Sequence, residues 1–308
     1  MSDDGLRDDG LRDDVLRVVS VSLGSASRDH RAHATLLGRE FCIERRGTDG
    51  DLDKARDLIR ELDGKVAAIG LGGIDLYVVA GQRRYVMRDA ARLAAEAKST
   101  PVVDGSGLKD TLERATVQRL RNDGIIDLHR KSVLLVSAVD RFGMAEEMVK
   151  VGARCVFGDL IFVLGIPIPL HSLSAVRRLG ALILPLATRL PFKMLYPTGK
   201  KQEAIIKKHG DYYANAEVIA GDFLLIRRFL PDRLNGKTIL TNTVTPRDIE
   251  LLRERGAAQL ITTTPEFDGR SFGTNVMEGI FVALGARRPE AYLELLRRLD
   301  WQPRVIRF

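Results

Sequence analysis

The feature that most constrains the fold of this chain is the alternation of short apolar runs with segments of helical periodicity. The clearest case is residues 237–265, in which "KTILTNTV" and "AAQLITTTP" flank the segment "TPRDIELLRERG". The flanking runs are rich in β-branched residues, and the middle segment begins with threonine and proline, as helices often do. This pattern predicts a strand–helix–strand unit, in which two parallel strands neighbour each other and the helix covers the sheet.

The same alternation extends along most of the chain. It predicts strands at 17–24, 40–50, 100–105, 132–139, 154–165 and 216–226, a hairpin that turns near 80–83, and helices at 51–64, 89–98, 107–121, 273–285 and 289–299. The last of these helices is expected to end the chain. We therefore predict an α/β fold with two mostly parallel-sheet, Rossmann-like three-layer domains and a cleft between them.

A polar segment at 121–131 separates the two series of strands and helices, which places the domain boundary near residue 125. The predicted organisation is a disordered acidic tail at 1–15, an N-terminal α/β domain at 16–125 and a C-terminal Rossmann-like domain at 126–308. The last domain carries a helical insertion at about 166–210. Asp159, the Arg177–Arg178 pair and Pro185 interrupt the long apolar region at 156–192, so we expect no transmembrane helix.

Charge narrows the class of partner. The first fourteen residues hold six Asp and two Arg, whereas the whole chain has a net charge of +7, so the positive surplus lies in the body. This surplus predicts an anionic small-molecule ligand. The arginine pairs are scattered among acidic residues without interleaved aromatics, so we expect neither a nucleic-acid nor a membrane partner, and we leave a homodimer open. The acidic start lacks the apolar run of a secretion signal, which predicts a cytoplasmic location.

Polar side chains collect where predicted strands of the C-terminal domain end. Parallel sheets bind ligands beyond the carboxyl ends of their strands, so these residues predict a site for a cofactor, NAD or NADP. They are Ser137, Asp140, Arg141, Asn242, Thr243, Thr263, Thr264, Arg270, Thr274 and Asn275. Helix capping alone accounts for Thr245 and Thr274, which leaves Asn242 and Thr243 as the residues we expect to face a ligand.

The N-terminal domain shows a weaker version of this arrangement in glycine-rich turns after its strands. Gly72, Gly73, Asp75, Asp104 and Ser106 are predicted to bind the substrate. The stretch "DGSGLK" is the best phosphate candidate, because a glycine-rich turn there precedes a helix start.

Candidate catalytic residues follow from the need for a proton acceptor near a reacting hydroxyl group. Lys109 and Asp222 are the candidates for this role. No metal site is predicted, because Cys42 and Cys155 have no ligand spacing and His30 and His33 lack a third ligand.

The stretches "GLGGIDLYVV", "FGDLIFVLGIPIPL", "YPTGKKQE" and "ITTTPEFDGRSFGTN" together resemble bacterial proteins labelled quinate 5-dehydrogenase. The resemblance covers the chain after the tail and implies a Rossmann-like oxidoreductase that moves a hydride between a nicotinamide cofactor and a ring hydroxyl of quinate or a relative. The N-V-T-x-P-x-K motif of quinate and shikimate dehydrogenases has its nearest counterpart at 242–248, in the C-terminal half and without the lysine.

Two other functions stay open from the residues alone. One is a non-catalytic, two-lobed binding or sensor protein for a small anion or nucleotide, because no catalytic constellation is recognisable. The other is a phosphate-handling transferase that uses "DGSGLK" and the threonine-rich strand ends.

Overall fold

The computed structural model describes residues 14–80, 83–191, 205–264, 266–267, 270–271 and 273–308. The predicted acidic tail lies outside the described residues except for its last two positions. Residues 192–204, which belong to the predicted helical insertion, also lie outside them.

The first sheet has five strands in the order β2-β3-β1-β4-β7. They are β1 (Leu16–Ser22), β2 (His30–Leu36), β3 (Arg39–Gly47), β4 (Ala68–Gly72) and β7 (Val102–Val103). All neighbours pair in parallel except β2, an antiparallel edge strand that the sequence analysis missed. A separate hairpin of β5 (Tyr77–Ala80) and β6 (Arg83–Val86) turns where it was predicted.

The second sheet has six strands in the order β15-β12-β11-β10-β8-β9. They are β8 (Ser132–Leu135), β9 (Arg154–Phe157), β10 (Val218–Gly221), β11 (Thr238–Thr241), β12 (Gln259–Thr262) and β15 (Arg304–Arg307). Of these described strands, only β15 is antiparallel to its neighbour. A short hairpin consists of β13 (Glu266–Phe267) and β14 (Arg270–Ser271).

Each sheet lies between two layers of helices, which confirms the predicted α/β fold class. Val19 and Val21 of β1 pack against α1 (Leu52–Leu62) and α2 (Arg88–Ala94), whereas Val18 points to the opposite face. Alternate residues of a strand face opposite sides, so a parallel sheet with apolar residues on both faces needs a helix layer on each.

The opposite face of the first sheet is covered by helices from three parts of the chain. These are α3 (Ser106–Asn122), α9 (Thr274–Ala283) and α10 (Pro289–Arg298). Around the second sheet pack α4 (Phe142–Lys150), α6 (Gly210–Ala214), α7 (Phe223–Arg228) and α8 (Pro246–Glu254). We call each sheet with its helices the first lobe and the second lobe.

Two helices belong to both lobes. The first half of α3 packs on the first sheet through Leu108 and Leu112, and its second half packs on the second sheet through Val117 and Leu120. The helix α5 (Leu173–Ala187) likewise has Val176 in the core of the second lobe and Leu184 in that of the first. The lobes are therefore joined by shared helices as well as by loops.

The structure corrects the assignment of 273–299 to the C-terminal domain. Val276, Met277, Ile280 and Phe281 of α9 lie in the core of the first lobe, because they cover the sheet face that α1 and α2 leave bare. The chain then returns to the second sheet as β15, so the helix at 289–299 does not end it.

Two predicted strands are shorter than expected. The run 154–165 is a strand only to Phe157, and Asp159–Val163 is a π-helix. The run 216–226 changes at Asp222, whose carboxylate accepts hydrogen bonds from Leu224 N and Leu225 N and so caps α7. The Asp222 side chain thus supplies acceptors for free N–H groups of the following helix and ends the extended conformation. The Asp159 carboxylate instead accepts from Ala138 N and Val139 N of the loop after β8.

The apolar insertion forms the helix α5 with Pro185 inside its last turn. It is only partly buried, because Leu182 and Leu186 are 75% and 69% exposed. Among the described residues, no helix has the length and apolarity needed to cross a membrane.

Candidate functional site

The carboxyl ends of the two sheets open on one cavity of about 480 Å³ between the lobes. In each sheet the first parallel strand has later strands on both sides: β1 lies between β3 and β4, and β8 lies between β9 and β10. Such a switch point leaves a crevice between loops that diverge to opposite sides, where α/β proteins bind ligands. Both crevices line the same cavity, through Ser22 and Gly72 on one side and Ser137 and Asp222 on the other.

The helix α5 forms the remaining wall of the cavity. Leu179, Gly180, Ile183, Leu184 and Ala187 line it, together with Phe162 of the π-helix. The cavity therefore combines an apolar wall with two polar edges, as is typical of small-molecule sites. We call the carboxyl end of the first sheet, with Ser22 and Gly72, the first-lobe edge, and that of the second sheet, with Ser137 and Asp222, the second-lobe edge.

Asp104, which was predicted to bind the substrate, instead uses most of its carboxylate acceptors to hold the loops of the first-lobe edge together. Its carboxylate accepts hydrogen bonds from Leu76 N at 2.6 Å, Tyr77 N at 2.9 Å and the Ser106 hydroxyl at 2.6 Å. These bonds fix the loop that follows β4 against the start of α3. Gly73 in that loop has φ +69, a left-handed conformation that glycine adopts without strain.

That arrangement brings Asp75 of the loop next to Lys109 in the first turn of α3. The Lys109 ammonium lies 3.1 Å from Asp75 Oδ1 and 2.8 Å from Asp140 Oδ1. Asp140 comes from the loop between β8 and α4, so the cluster joins the two lobes. All three residues line the cavity.

The electrostatics of this cluster separate the roles of its members. Burial alone lowers the pKa of Lys109, but Asp140 and Asp75 outweigh it and raise the pKa above its ordinary value. Burial raises the pKa of Asp75 to about 6, with Lys109 opposing the rise. Lys109 is therefore held as an ammonium group, which does not fit its predicted role as proton acceptor.

A second polar network lies behind the cluster. The guanidinium of Arg141 pairs with Glu113 and lies 3.3 Å from Asp222 Oδ2. Arg141 and Glu113 are 2% and 0% exposed, and burial raises the pKa of Glu113 to about 7 against the opposing charge of Arg141. This pair ties α3 to the strand ends of the second lobe.

Asp222, the other predicted catalytic residue, has structural partners for both carboxylate oxygens. One oxygen accepts from Leu224 N and Leu225 N, and the other from Arg141 and from the Asn242 amide at 3.2 Å. Asn242 also accepts from Phe223 N at 3.3 Å. Both residues line the cavity, but these bonds explain them without a ligand.

Seven other predicted residues divide into three groups. Ser137, Thr243, Gly72 and Gly73 line the cavity. Thr263 and Thr264 are fully buried and lie outside its lining, and Thr264 donates to Asn242 O at 2.7 Å. The side chain of Arg270 is outside the described part of the structure.

Thr274 and Asn275 do line the cavity, but from the first lobe. They begin α9, and the Asn275 amide donates to the Ser20 hydroxyl of β1 at 2.7 Å. Their prediction as part of a second-domain cofactor site followed from their place in the sequence, which the packing of α9 overrides.

The phosphate site predicted at "DGSGLK" is already filled by carboxylates. Ser106 N donates to Asp104 at 3.1 Å, and Gly105 N donates to Glu278 Oε2 at 2.7 Å. Burial raises the pKa of Glu278 to about 7. A phosphate would need these N–H groups, and two acidic side chains already occupy them. The prediction of a phosphate site here is therefore wrong.

Sequence reasoning missed several residues of the cavity. Asp159 and the first-lobe residues Ser20, Ser22, Arg28, His30 and Arg45 all line it. Arg45 donates to the Ser22 hydroxyl at 2.9 Å and pairs with Asp29 at 2.6 Å. A signal was present for Ser22 and Asp159, since each follows an apolar strand, but nothing in the sequence places β2 and β3 beside β1.

Two further observations concern ligation. Within the described ranges, no group of His, Cys, Asp and Glu side chains has the geometry to hold a metal ion. Cys42 and Cys155 are free thiols, the first buried and the second half-buried.

Family models match nearly the whole chain after the tail. The model described as Domain of unknown function (DUF8754) matches residues 107–308, and that described as Domain of unknown function (DUF8753) matches 17–104. The chain belongs to the DUF8754 family. The two matches meet at the start of α3, the helix that the lobes share. No curated protein matches the chain.

Solved structures similar to this member of the DUF8754 family include dehydrogenases and a binding protein. A glutamate dehydrogenase from Thermus thermophilus is 13% identical with a TM-score of 0.43, over 93% of this chain and 74% of that one. A shikimate 5-dehydrogenase from the same organism, solved with NADP(H) and shikimate, is 12% identical with a TM-score of 0.38, over 92% and 99%.

A substrate-binding protein of a sugar ABC transport system from Bordetella parapertussis is 10% identical with a TM-score of 0.36. The match covers 97% of this chain and 92% of that one. At these identities and TM-scores, none of the three says what this chain binds or catalyses.

Proposed function

We propose that the protein is an oxidoreductase that binds a cyclic hydroxy acid such as quinate in the interlobe cavity. The observation that carries the proposal is the cluster of Lys109, Asp75 and Asp140 on the cavity wall. It places a permanently charged hydrogen-bond donor beside a carboxylate whose pKa is about 6. Titratable groups with separated pKa values in one cleft are typical of acid–base sites.

The roles in proton transfer follow from those charges. The Lys109 ammonium donates a hydrogen bond to the oxygen of the reacting hydroxyl group and stabilises negative charge that develops there. Asp75, ionised above about pH 6, accepts the hydroxyl proton when the alcohol is oxidised and returns it in the reverse direction. Asp140 holds Lys109 in place through the 2.8 Å ion pair.

The charges of the cavity also support a hydroxy acid as ligand. Arg28 and Arg45 lie on the first-lobe edge and attract a carboxylate. Asp140, Asp159 and Asp222 lie on the second-lobe edge, where carboxylate oxygens accept hydrogen bonds from hydroxyl groups. A ring that carries one carboxylate and several hydroxyl groups matches both edges.

Oxidation of the alcohol carbon also needs a hydride acceptor, and NAD or NADP is the one that the resemblance implies. The loop after β8 does not fit its pyrophosphate in the usual place, because Ala138 N and Val139 N already donate to Asp159. At the start of α4, the pocket between α3 and α4 has about 20 Å³, the volume of one water. The described residues therefore support the proton-transfer half of the reaction.

The test combines turnover with binding. Purified protein is incubated with NAD or NADP and a panel of cyclic hydroxy acids that includes quinate and shikimate, and formation of the reduced cofactor is followed by absorbance. Turnover that is lost in Lys109→Met and retained in Lys207→Met supports the proposal. Lys207 is a matched surface control, because it pairs with Asp232 while 76% exposed.

A second candidate is a non-catalytic binding protein, and the occupied N–H groups of the loop after β8 favour it. Such a protein binds a hydroxy acid between its lobes without chemistry. The discriminating result is a rise in melting temperature with a member of the panel, without binding of NAD(H) or NADP(H) by calorimetry and without turnover.

A further inference from the structure

One carboxylate oxygen of Asp159 has no partner in the described part of the chain, although the side chain is almost completely buried. It begins the π-helix after β9 and is 4% exposed. Its Oδ1 accepts hydrogen bonds from Ala138 N at 2.9 Å and Val139 N at 2.8 Å. Its Oδ2 has no hydrogen-bond partner among the described residues, and the residue lines the cavity.

This unpartnered oxygen is unfavourable for the stability of the fold. Burial raises the pKa of Asp159 to about 6, and a buried acceptor without a donor destabilises the fold. The local backbone nevertheless holds the side chain in place. A Cβ at Gly158 would lie 2.4 Å from the Phe162 ring, so the turn that carries Asp159 is packed against the π-helix. A donor supplied by a ligand in the cavity would remove this penalty.

The other loops at this edge also carry carboxylates where a phosphate group would need N–H donors. Asp222 caps the start of α7, and Asp248 pairs with Thr245 in a capping box at the start of α8. At the start of α4, a Cβ on Gly143 would lie 2.3 Å from Asp110 Oδ1, so α3 closes that helix end. Within the described part of this edge, a diphosphate would meet negative charge and occupied donors.

We propose that the second-lobe edge of the cavity binds the hydroxyl groups of an uncharged polyol moiety through Asp159 and excludes diphosphates. The ligand class at this edge is a ring or chain with adjacent hydroxyl groups, since these donate hydrogen bonds to a free carboxylate oxygen. The inference rests on the proposed function only in placing the ligand in the cavity. It goes beyond the proposed function by stating that the hydroxyl-bearing face of the ligand lies at the second lobe.

The exclusion of diphosphates is tested with inorganic pyrophosphate by calorimetry. Asp159→Ala removes the charge and frees the N–H groups of Ala138 and Val139, so we expect binding at least about tenfold tighter than in the wild type. Asp232→Ala removes a surface carboxylate that is 65% exposed and serves as the control, with no gain. Wild-type binding of pyrophosphate that Asp159→Ala does not tighten overturns the exclusion.

Asp159→Asn tests the role of the free oxygen without a new cavity. The amide oxygen still accepts from Ala138 N and Val139 N, and the buried charge is gone. We expect the melting temperature of the ligand-free variant to equal or exceed that of the wild type, as for a residue kept for binding. A fall of several degrees shows that the carboxylate serves the fold and overturns the proposal.

The hydroxyl subsite is tested with myo-inositol as a neutral polyol probe, by saturation-transfer NMR. We expect the wild type to bind it and Asp159→Asn to bind at least about tenfold more weakly. Equal binding by both proteins, or by neither, overturns the subsite. None of these three measurements uses turnover or Lys109, so their failure is distinguishable from failure of the proposed oxidoreductase.

Discussion

The two edges of the cavity have the same topology and opposite chemistry. In each lobe the first parallel strand lies between later strands, and the crevice at that point opens on the cavity. The first-lobe edge presents glycines, the hydroxyl groups of Ser20 and Ser22, and the cation of Arg45. The second-lobe edge presents the carboxylates of Asp140, Asp159 and Asp222.

This difference shows that the position of the ligand and its orientation have different structural causes. Strand order determines where a ligand binds, because it determines where loops diverge. Side-chain charge determines which group of the ligand lies at each edge. Lys109 lies at the meeting point of the edges, paired with Asp75 of one lobe and Asp140 of the other.

The largest effect is expected where the edges meet. Lys109→Met removes the ammonium that stabilises charge on the reacting oxygen, and it leaves Asp75 and Asp140 facing each other. We expect turnover to fall by about two to four orders of magnitude, measured as kcat in the cofactor-reduction assay. Lys207→Met should keep wild-type turnover. A Lys109→Met variant within a factor of two of the wild type would contradict the role of the cluster.

The next largest effect is expected on stability, where substitutions at Arg141 and Glu113 test the connection of α3 to the second lobe. Arg141→Met leaves Glu113 buried without its partner, and we expect the free energy of unfolding in urea to fall by about 3–5 kcal/mol. The double variant Glu113→Leu with Arg141→Met removes both charges and should recover most of that loss. Equal destabilisation by the single and double variants would show that volume, and not charge, decides stability there.

A smaller effect is expected at the basic edge. Arg45→Met removes a cation that we place beside the ligand carboxylate, and we expect hydroxy-acid affinity to fall by about tenfold to a hundredfold in calorimetry. Asp29→Asn is the matched control, because it removes the ion-pair partner of Arg45 and keeps the cation. A larger loss in Asp29→Asn than in Arg45→Met would place the ligand carboxylate elsewhere.

The smallest effect is a pH dependence that belongs to Asp75. Burial raises the pKa of Asp75 to about 6, so its proton-accepting form dominates above that value. We expect kcat/KM for oxidation to rise about tenfold per pH unit below pH 6 and to level off above it. The free energy of unfolding should change with pH in the opposite direction, because a carboxyl group with a raised pKa favours the folded state at low pH. A profile that falls as pH rises through 6 would contradict this assignment.

The parallel sheets and most helices could be predicted from the sequence, because apolar runs and helical periodicity are local properties. The segment 237–265 shows this best, with a strand, a capped helix and a strand where they were expected. The pairing of α9 and α10 with the first sheet could not be predicted, since contacts over such distances leave no local pattern. The edge strand β2 was missed because its sequence is mostly polar.

The candidate site could be predicted as an edge of polar strand ends, but its chemistry could not. Asp75 and Lys109 were both named, yet the ion pair that keeps Lys109 protonated depends on the loop that Asp104 fixes. Asn242 was expected to face a ligand; it lines the cavity, and its amide also donates to Asp222, a bond that the sequence does not reveal. Asp159 was overlooked because the apolar run continues beyond it, so its place at the end of β9 could be recognised only once that strand was seen to stop at Phe157.

The central claim is that a hydroxy acid binds between the two edges of the cavity. Its most direct test is calorimetry with the panel of cyclic hydroxy acids, carried out on the wild type, Arg45→Met and Lys109→Met. The account predicts that at least one hydroxy acid binds with one-to-one stoichiometry and that both substitutions weaken it. Binding that is unchanged in both variants, or no binding by any member of the panel, would contradict a hydroxy-acid site between the two edges.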